Sequence, residues 1–362
     1  MSIFKRKQKG YLGIDFGAGG IKVIQLAPEG GRGNLFTYGF TERPPEEIGG
    51  DYLESAEIAG GLLKQICARA RTSVTHAVSA LPIPTVFSAV LSIAAVPKKE
   101  LLKAVEWEAK KLIPLPLEEV RLDYKELNLK GEKADRGEEQ GARGGSAESI
   151  AVLLTAAPRS IIDKYLAIAK VAGLNLGSLE TEAFALIRAL IGKDLSPAVI
   201  LDMGALRSNI LMVDRGIPMF TRSIEIGGKR CTEAIAQSLK VNLGQAEAMK
   251  RDVSAPAGAA PPSDIPHILQ EVLQPLVNEM KYSFHVYRTR NVIARPPERI
   301  ILTGGGAQIA GFAEFLSREF NIRAFIGNPW ERVNVPPDLA PLLQGFGSRF
   351  AVAIGLALRN II

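Results

Sequence analysis

The sequence repeats one pattern twice, and this repeat restricts the possible folds more than any other feature. The segment 11-YLGIDFGAGGIKVIQL-26 aligns without a gap on 198-AVILDMGALRSNILMV-213, so that Asp15 falls on Asp202 and Gly17 on Gly204. Each copy consists of an apolar run, a turn containing glycine and a second apolar run, which predicts two strands joined by a tight turn. Either hairpin alone would be ordinary in an α/β protein, but the duplication indicates two related domains.

The repeated turns predict a site for phosphate and a divalent cation. Backbone N–H groups of such turns bind anions, and the aspartate before each turn supplies the oxygen ligands that Mg²⁺ prefers. A third glycine cluster, 304-GGG-306, follows an apolar strand and precedes a helix that starts near Gly311. Backbone without side chains at this point lets a flat ligand such as a nucleoside lie against it. The three clusters together favour a nucleotide site.

Composition excludes several other classes of protein. A chain of 362 residues with 47% hydrophobic and 23% charged residues is typical of soluble protein with more than one domain. No apolar run approaches the roughly 18 residues that span a bilayer, and no signal peptide is recognisable, so we expect a cytoplasmic protein. The two cysteines and three histidines lack the spacing of a disulfide framework or a zinc site. The net charge of +6 is spread out except for a cluster at 5–9 without aromatic residues, so nucleic acid is not an expected partner.

These motifs resemble those of the actin-like ATPase superfamily, which includes actin, the Hsp70 chaperones, sugar kinases and FtsA. Asp15 to Lys22 resembles the first phosphate loop, Asp202-Met203-Gly204 the second, and 304–306 the adenosine motif. Within the superfamily, three segments resemble the PilM family of type IV pilus assembly and twitching motility: 178-SLETEAFALIRAL-190, 214-DRGIPMFTRSIEIGG-228 and 301-ILTGGGAQIAGFAEFLSREFNI-322. The resemblance covers nearly the whole chain.

The resemblance implies an α/β fold in which two ribonuclease-H-like domains surround a nucleotide cleft, with an inserted subdomain of the 1C type. Residues 1–84 and 173–195 would form subdomain 1A, 85–172 the insertion, 196–228 and 299–347 subdomain 2A, 229–298 subdomain 2B, and 348–362 a C-terminal helix on 1A. Helices are predicted near 101–113 and 265–287, and strands near 124–129 and 150–154. The polar segment 131–148 and the proline-alanine segment 253–264 are predicted loops.

The resemblance also implies roles for individual residues, with ATP and Mg²⁺ as cofactors. Asp15 and Asp202 would hold Mg²⁺, and Glu180 or Glu182 would orient the attacking water. For the two glutamates, charge complementing a helix N-terminus is an equally good interpretation. Glu247 and Lys250 are either nucleotide contacts or a surface salt bridge. The full set of implied nucleotide contacts is Asp15, Gly17, Ala18, Gly19, Gly20, Lys22, Asp202, Gly204, Ala205, Ser208, Asn209, Gly227, Gly228, Lys229, Glu247, Lys250, Gly304, Gly305 and Gly306.

The first loop departs from the superfamily pattern. Serine or threonine hydroxyls usually contact the terminal phosphate there, whereas this chain has Ala18, Gly19 and Gly20. A missing hydroxyl contact costs on the order of 1 kcal/mol, and more if it forms only in the transition state, so binding should survive more readily than turnover. Arg207 in the second loop would either grip a phosphate or point into solvent.

Three functions therefore stay open: a slow ATPase that acts as a conformational switch, a nucleotide-bound scaffold that does not hydrolyse, and a small-molecule kinase. The kinase would need a carboxylate base in a substrate loop, and the sequence offers no candidate aspartate for that role. In the PilM family the partner is PilN, an inner-membrane protein whose cytoplasmic N-terminal segment binds beside the 1C insertion. The resemblance thus implies recruitment to the inner face of the inner membrane, while self-association is left undecided by the sequence.

Overall fold

The computed structural model describes residues 10–50, 52–127, 149–252, 265–290 and 295–362. The basic cluster at 5–9 and the predicted loops at 131–148 and 253–264 lie outside these residues. The chain divides into two compact units. One comprises the described residues up to Ile83 and from Lys164 onward, and the other extends over Pro84–Asp163.

The first sheet of the larger unit has the strand order β14-β3-β2-β1-β4-β8. The strands β1, β2 and β3 are consecutive antiparallel neighbours, and β4 and β8 follow β1 in parallel. Strand β1 buries Leu12 and Ile14 completely, as its apolar alternation predicts. The bounds are β1 (Tyr11–Gly17), β2 (Gly20–Glu29), β3 (Arg32–Phe40), β4 (His76–Leu81), β8 (Asn175–Thr181) and β14 (Val333–Asn334).

The second sheet repeats this topology. Its order is β11-β10-β9-β12-β13, with three antiparallel strands followed by two strands parallel to β9. Counted from its own first strand, the order is 3-2-1-4-5, as in the five consecutive strands β3-β2-β1-β4-β8 of the first sheet. The repeat in the sequence is thus a repeat of the fold. The bounds are β9 (Ala198–Met203), β10 (Ser208–Asp214), β11 (Ile217–Ile224), β12 (Arg299–Thr303) and β13 (Arg323–Ile326).

Two helices of the larger unit join the cores of the two sheets. Helix α10 (Ala351–Leu358) is buried at every position, and Leu356 on it belongs to one apolar cluster with Val78 of the first sheet and Ile200 of the second. Gly355 lets α10 approach helix α4 (Glu182–Leu190) closely, because a Cβ at this position would lie 1.9 Å from the carbonyl oxygen of Ala185. This packing holds the two halves together. Apart from α2 (Lys98–Leu112), the α-helices are α1 (Ala56–Arg69), α3 (Arg159–Val171), α4 (Glu182–Leu190), α5 (Gly228–Leu239), α6 (Leu243–Asp252), α7 (His267–Arg290), α8 (Phe312–Phe320), α9 (Ala340–Gln344) and α10 (Ala351–Leu358).

The smaller unit has its own sheet and core. Its three antiparallel strands lie in the order β5-β7-β6, with bounds β5 (Phe87–Ala94), β6 (Val120–Leu127) and β7 (Ser149–Pro158). Helix α2 (Lys98–Leu112) places Leu101, Val105 and Ala109 in a core with Val152 and Leu154 of β7. The helix predicted near 101–113 is therefore present, and Leu101, Val105 and Ala109 form the stripe that it buries in this core.

The described part of the chain contains no single helix with the length and apolar character needed to cross a membrane. One pair of consecutive helical segments, Pro337–Gln344 and Gly347–Leu358, meets those criteria only when taken together, and it is bent by 94°.

Candidate nucleotide cleft

A cavity of about 470 Å³ lies where the turns of the two sheets face each other in the larger unit. It brings together residues from sequence positions as distant as Asp15 and Gly306. Most of the predicted nucleotide contacts line it, and so does the candidate catalytic Glu182. The predicted residues found there are Asp15, Gly17, Ala18, Gly19, Lys22, Glu182, Asp202, Gly204, Ala205, Asn209, Gly228, Lys229, Glu247, Lys250, Gly304, Gly305 and Gly306.

The two hairpins place equivalent residues in equivalent positions. In the first hairpin Asp15 pairs across the strands with Lys22, and in the second Asp202 pairs with Asn209. Both pairs follow from the same gap-free alignment, because Lys22 falls on Asn209 when Asp15 falls on Asp202. The duplicated pattern therefore has one backbone register and two different polar partners for the aspartate.

The turns of the two hairpins meet in the cleft. A Cβ built on Gly19 would lie 3.3 Å from the Cβ of Ala205 in the second turn. The third glycine cluster closes on the same point, since a Cβ on Gly304 would lie 2.7 Å from Asp202 Oδ1. Gly304 also has φ of +82°, a conformation that glycine adopts without steric cost. A side chain on Gly304 would thus clash and strain the backbone at once.

Negative charge is concentrated at the meeting point of the turns. The Lys22 ammonium lies 2.9 Å from Asp15 Oδ2 and compensates one of the two aspartates. Burial and the neighbouring Asp15 carboxylate raise the pKa of Asp202 to about 6, against the opposing effects of Asn209, Lys22 and Arg207. Two carboxylates that repel each other therefore lie at the meeting point of the turns, and Lys22 forms its ion pair with Asp15.

Glu182, the first residue of α4, is held at one oxygen and presented at the other. Its Oε2 accepts a hydrogen bond from the backbone N–H of Ile83 at 3.0 Å and a long one from Asn209 Nδ2 at 3.4 Å. Its Oε1 lies 3.5 Å from Arg207 Nη2. Burial, opposed by Arg207 and reinforced by the charges of Asp202 and Asp15, raises the pKa of Glu182 to about 7.

The side of the cleft formed by α5 and α6 has its own polar network. Lys250 Nζ lies 2.6 Å from Glu247 Oε2 and 2.8 Å from Thr232 Oγ1, and it donates to the carbonyl of Gly228. Burial opposes ionisation of Glu247, but Lys250 and Thr232 outweigh it and lower the pKa of this carboxyl. The predicted three-residue spacing on one helical face is confirmed, and the pair lines the cleft.

Four predicted site residues lie away from the cleft lining. Glu180 forms ion pairs with Arg188 at 2.7 Å and with Arg359 at 3.3 Å, and neither arginine lines the cleft. The Ser208 hydroxyl is buried and donates to the carbonyl of Ile226. The structure thus brings Glu182 into the site without Glu180. The other two residues outside the lining are Gly20 and Gly227. Gly20 packs against the backbone of Thr41 and Gly227 against that of Ala205, so neither position has room for a side chain.

The structure adds residues that the sequence reasoning missed. Glu42, just after β3, pairs at the cleft with Arg349 at 2.5 Å and with Arg251 at 3.6 Å. The hydroxyl of Tyr165 is buried with no hydrogen-bond partner among the described residues, while its ring contacts Phe16 edge-on. Burial and the charges of Glu182 and Asp15 raise the pKa of Tyr165. Neither residue belongs to a sequence motif, so no local signal identified them.

Comparison with known proteins identifies the family. The family model described as "Type IV pilus assembly protein PilM" matches residues 13–361. The chain belongs to the PilM family. Its fold is similar to that of the solved "PilM-PilN type IV pilus biogenesis complex", with 27% identity, a TM-score of 0.79, and coverage of 98% of this chain and 99% of that one. The resemblance of the motifs to this family is thereby confirmed.

More distant structures share the fold of this PilM-family chain. The ethanolamine utilization protein EutJ from Carboxydothermus hydrogenoformans matches with a TM-score of 0.52 at 16% identity, covering 97% of this chain and 90% of that one. MreB5 of Spiroplasma citri, solved bound to ADP, matches with a TM-score of 0.50 at 12% identity, covering 96% and 95%. The predicted actin-like ATPase fold is confirmed.

Proposed function

We propose that this PilM-family chain binds ATP with Mg²⁺ in the cleft and that the nucleotide state controls its binding of an inner-membrane pilus protein. One observation carries the proposal: two equivalent hairpins present Asp15 and Asp202, and their turns meet at Gly19 and Ala205. In this proposal the unit Pro84–Asp163 serves as the inserted subdomain predicted at 85–172. The protein acts at the cytoplasmic face of the inner membrane.

The oxygen donors in the cleft fit a hydrated Mg²⁺ ion. Asp15 and Asp202 are hard ligands, and the raised pKa of Asp202 reflects burial and repulsion that a cation relieves. Among the described residues no three His, Cys, Asp or Glu side chains are grouped as a metal site. The two aspartates suit Mg²⁺ as ligands, since this ion keeps several waters and is commonly shared with substrate phosphates. When bound, the ion supplies charge neutralisation at the phosphates.

The chain's own residues divide the remaining work. Backbone N–H groups of the three turns cradle the phosphates, and Lys22 neutralises charge between the β- and γ-phosphates. Glu182 orients the attacking water through the oxygen that faces the cleft, and a pKa of about 7 suits a proton acceptor near neutral pH. Glu247 and Lys250 contact the nucleotide near its ribose and base.

Asp202→Ala tests the proposal directly. We expect it to weaken ATP binding in excess Mg²⁺ about 10-fold or more, because the variant loses a ligand for the cation. Isothermal titration calorimetry with and without EDTA measures this effect, with Asp338→Ala as a control at an exposed aspartate outside the cleft. Equal affinities for wild type and Asp202→Ala would count decisively against the cation site.

The second candidate function is a nucleotide-bound scaffold that does not hydrolyse ATP. The observation that favours it is the first turn, where Ala18 and Gly19 line the cleft without a hydroxyl. Binding through backbone N–H groups and Lys22 does not require one. Single-turnover phosphate release from pure protein separates the scaffold from a slow ATPase.

Restoring a hydroxyl in the first turn gives a second test. We expect Ala18→Ser to tighten binding of an ATP analogue or raise turnover about fivefold, since one hydrogen bond contributes about 1 kcal/mol. Gly19→Ser is the comparison: its Cβ would crowd Ala205 at 3.3 Å, so we expect a smaller gain or a loss. Calorimetry and phosphate release measure both variants, and no change in Ala18→Ser would remove the role proposed for this turn.

For the partner, we propose the cytoplasmic segment of a PilN-like protein, bound through the smaller unit. The solved relative with 27% identity is described as a PilM-PilN complex, which supports a partner of this kind. The smaller unit exposes Leu102, Trp107 and Leu112 on α2, which are five residues apart and lie on different sides of the helix; Trp107 is 64% exposed. An exposed indole suits a peptide that buries an apolar residue of its own.

A further inference from the structure

Arg207 faces the cleft and is held there loosely. It ends the second turn, lines the cavity, and leaves one third of its side chain exposed. Among the described residues its guanidinium makes a single ion pair, at 3.5 Å from Glu182 Oε1. The guanidinium of an arginine can form two parallel hydrogen bonds to a phosphate or carboxylate, whereas Arg207 makes one long contact with Glu182. Arg207 can therefore form stronger hydrogen bonds with another anion.

The surroundings of Arg207 indicate what that partner is. The first turn has no hydroxyl to contact a terminal phosphate, and it touches the second turn at Gly19 and Ala205, two residues before Arg207. Glu182 does not depend on Arg207 for its position, because Ile83 and Asn209 hold its other oxygen. Arg207 can thus leave Glu182 without releasing it from the cleft.

We propose that Arg207 distinguishes a nucleoside triphosphate from a diphosphate: it exchanges its long contact with Glu182 for paired hydrogen bonds to the terminal phosphate. The inference rests on the proposed nucleotide binding, and it identifies Arg207 as the residue whose contacts change with the presence of the terminal phosphate. The exchange frees Glu182 Oε1 for the attacking water only when the terminal phosphate is present. It also supplies the charge-assisted contact that the first turn lacks.

The test compares two nucleotides on the full chain. Isothermal titration calorimetry in Mg²⁺ measures the affinities for ADP and for a non-hydrolysable ATP analogue in wild type, Arg207→Gln, Arg207→Lys and Arg230→Gln. We expect Arg207→Gln to weaken binding of the analogue about 10-fold or more and to leave ADP within about twofold, because hydrogen bonds to charged groups are lost for the triphosphate alone. Arg207→Lys keeps the charge without the planar guanidinium, so its affinity for the analogue should lie between those of wild type and Arg207→Gln. Arg230, exposed and outside the cleft, controls for the loss of an arginine.

Each other outcome overturns this inference in a recognisable way. Equal weakening of both nucleotides, with an unchanged thermal unfolding midpoint, would make Arg207 a general support of the cleft. An unchanged preference for the triphosphate in Arg207→Gln would remove its role altogether. Wild-type protein that binds neither nucleotide would overturn the proposed function itself, and the inference with it.

Discussion

Glu182→Gln is expected to reduce ATP hydrolysis about 100-fold or more while ATP affinity changes only a fewfold. The amide keeps an acceptor for the Ile83 N–H and nearly the same shape, but it cannot accept a proton from water, and such acid–base roles contribute 10²–10⁴-fold. Single-turnover phosphate release measures the loss. Glu180→Gln is the matched comparison, because Glu180 pairs with Arg188 and Arg359 away from the cleft.

The pair of variants separates the two carboxylates that the sequence could not tell apart. A loss in Glu180→Gln with normal turnover in Glu182→Gln would contradict the assignment of Glu182. If wild-type protein releases no phosphate in a single turnover, the scaffold function stands and Glu182 has no hydrolytic role.

The same Glu182→Gln protein carries a second readout that does not depend on turnover. The folded-state pKa of about 7 lies above the ordinary value of 4.5, so the stability contributed by protonated Glu182 is full below pH 4.5 and is lost as the pH rises through 7. A shift of this size corresponds to about 3 kcal/mol. We therefore expect Glu182→Gln to be more stable than wild type at pH 8, by up to about 3 kcal/mol, and to match it near pH 4.5.

Urea unfolding at several pH values, without nucleotide or divalent cation, measures this difference. Glu298→Gln, at an exposed glutamate outside the cleft, is the control and should follow wild type. A stability difference between Glu182→Gln and wild type that does not change with pH would mean that folding does not raise the pKa of Glu182.

Replacing residues 84–163 by a short glycine-serine linker is expected to abolish capture of a PilN-like cytoplasmic peptide and to preserve ATP binding. The removed unit has its own three-stranded sheet and core, whereas the cleft is lined by residues of the larger unit. Ending the replacement at 163 keeps Tyr165 and Ile168, which are buried in the larger unit. Pull-down with the immobilised peptide measures capture, and calorimetry with ATP confirms that the cleft is intact.

A milder variant guards against misfolding of the shortened chain. Trp107→Ser changes an exposed side chain, so we expect it to fold normally and to weaken peptide capture if α2 contributes to the site. Undiminished capture by a shortened chain that still binds ATP would place the partner site on the larger unit.

Local sequence pattern was enough to predict the repeated hairpins. The alignment of Asp15 with Asp202 holds in the structure residue for residue, down to the cross-strand pairs with Lys22 and Asn209. Strand alternation and turn glycines are local properties, and a duplicated pattern carries its register with it. The actin-like fold and the family followed from the resemblance of these motifs, and of their order along the chain, to those of known proteins.

Side-chain direction at the strand-to-helix junction was not readable from the pattern. Glu180 and Glu182 stand two residues apart in one acidic segment, yet one pairs with Arg188 and Arg359 and the other faces the cleft. Which of them does so depends on where β8 ends and α4 begins, and on arginines distant in sequence.

The sequence by itself thus determined the two hairpins, their glycine turns and their aspartates, because each depends on residues within one short segment. Only the tertiary structure decided that Gly19 meets Ala205, that Arg207 reaches Glu182, and that Glu42 joins Arg349 and Arg251 at the cleft. These contacts link separate strands, turns and helices, and no local period or spacing encodes a contact between segments so far apart in the chain. The charge balance of the cleft, and with it the raised pKa of Glu182, follows from burial that exists only once the two halves have packed together.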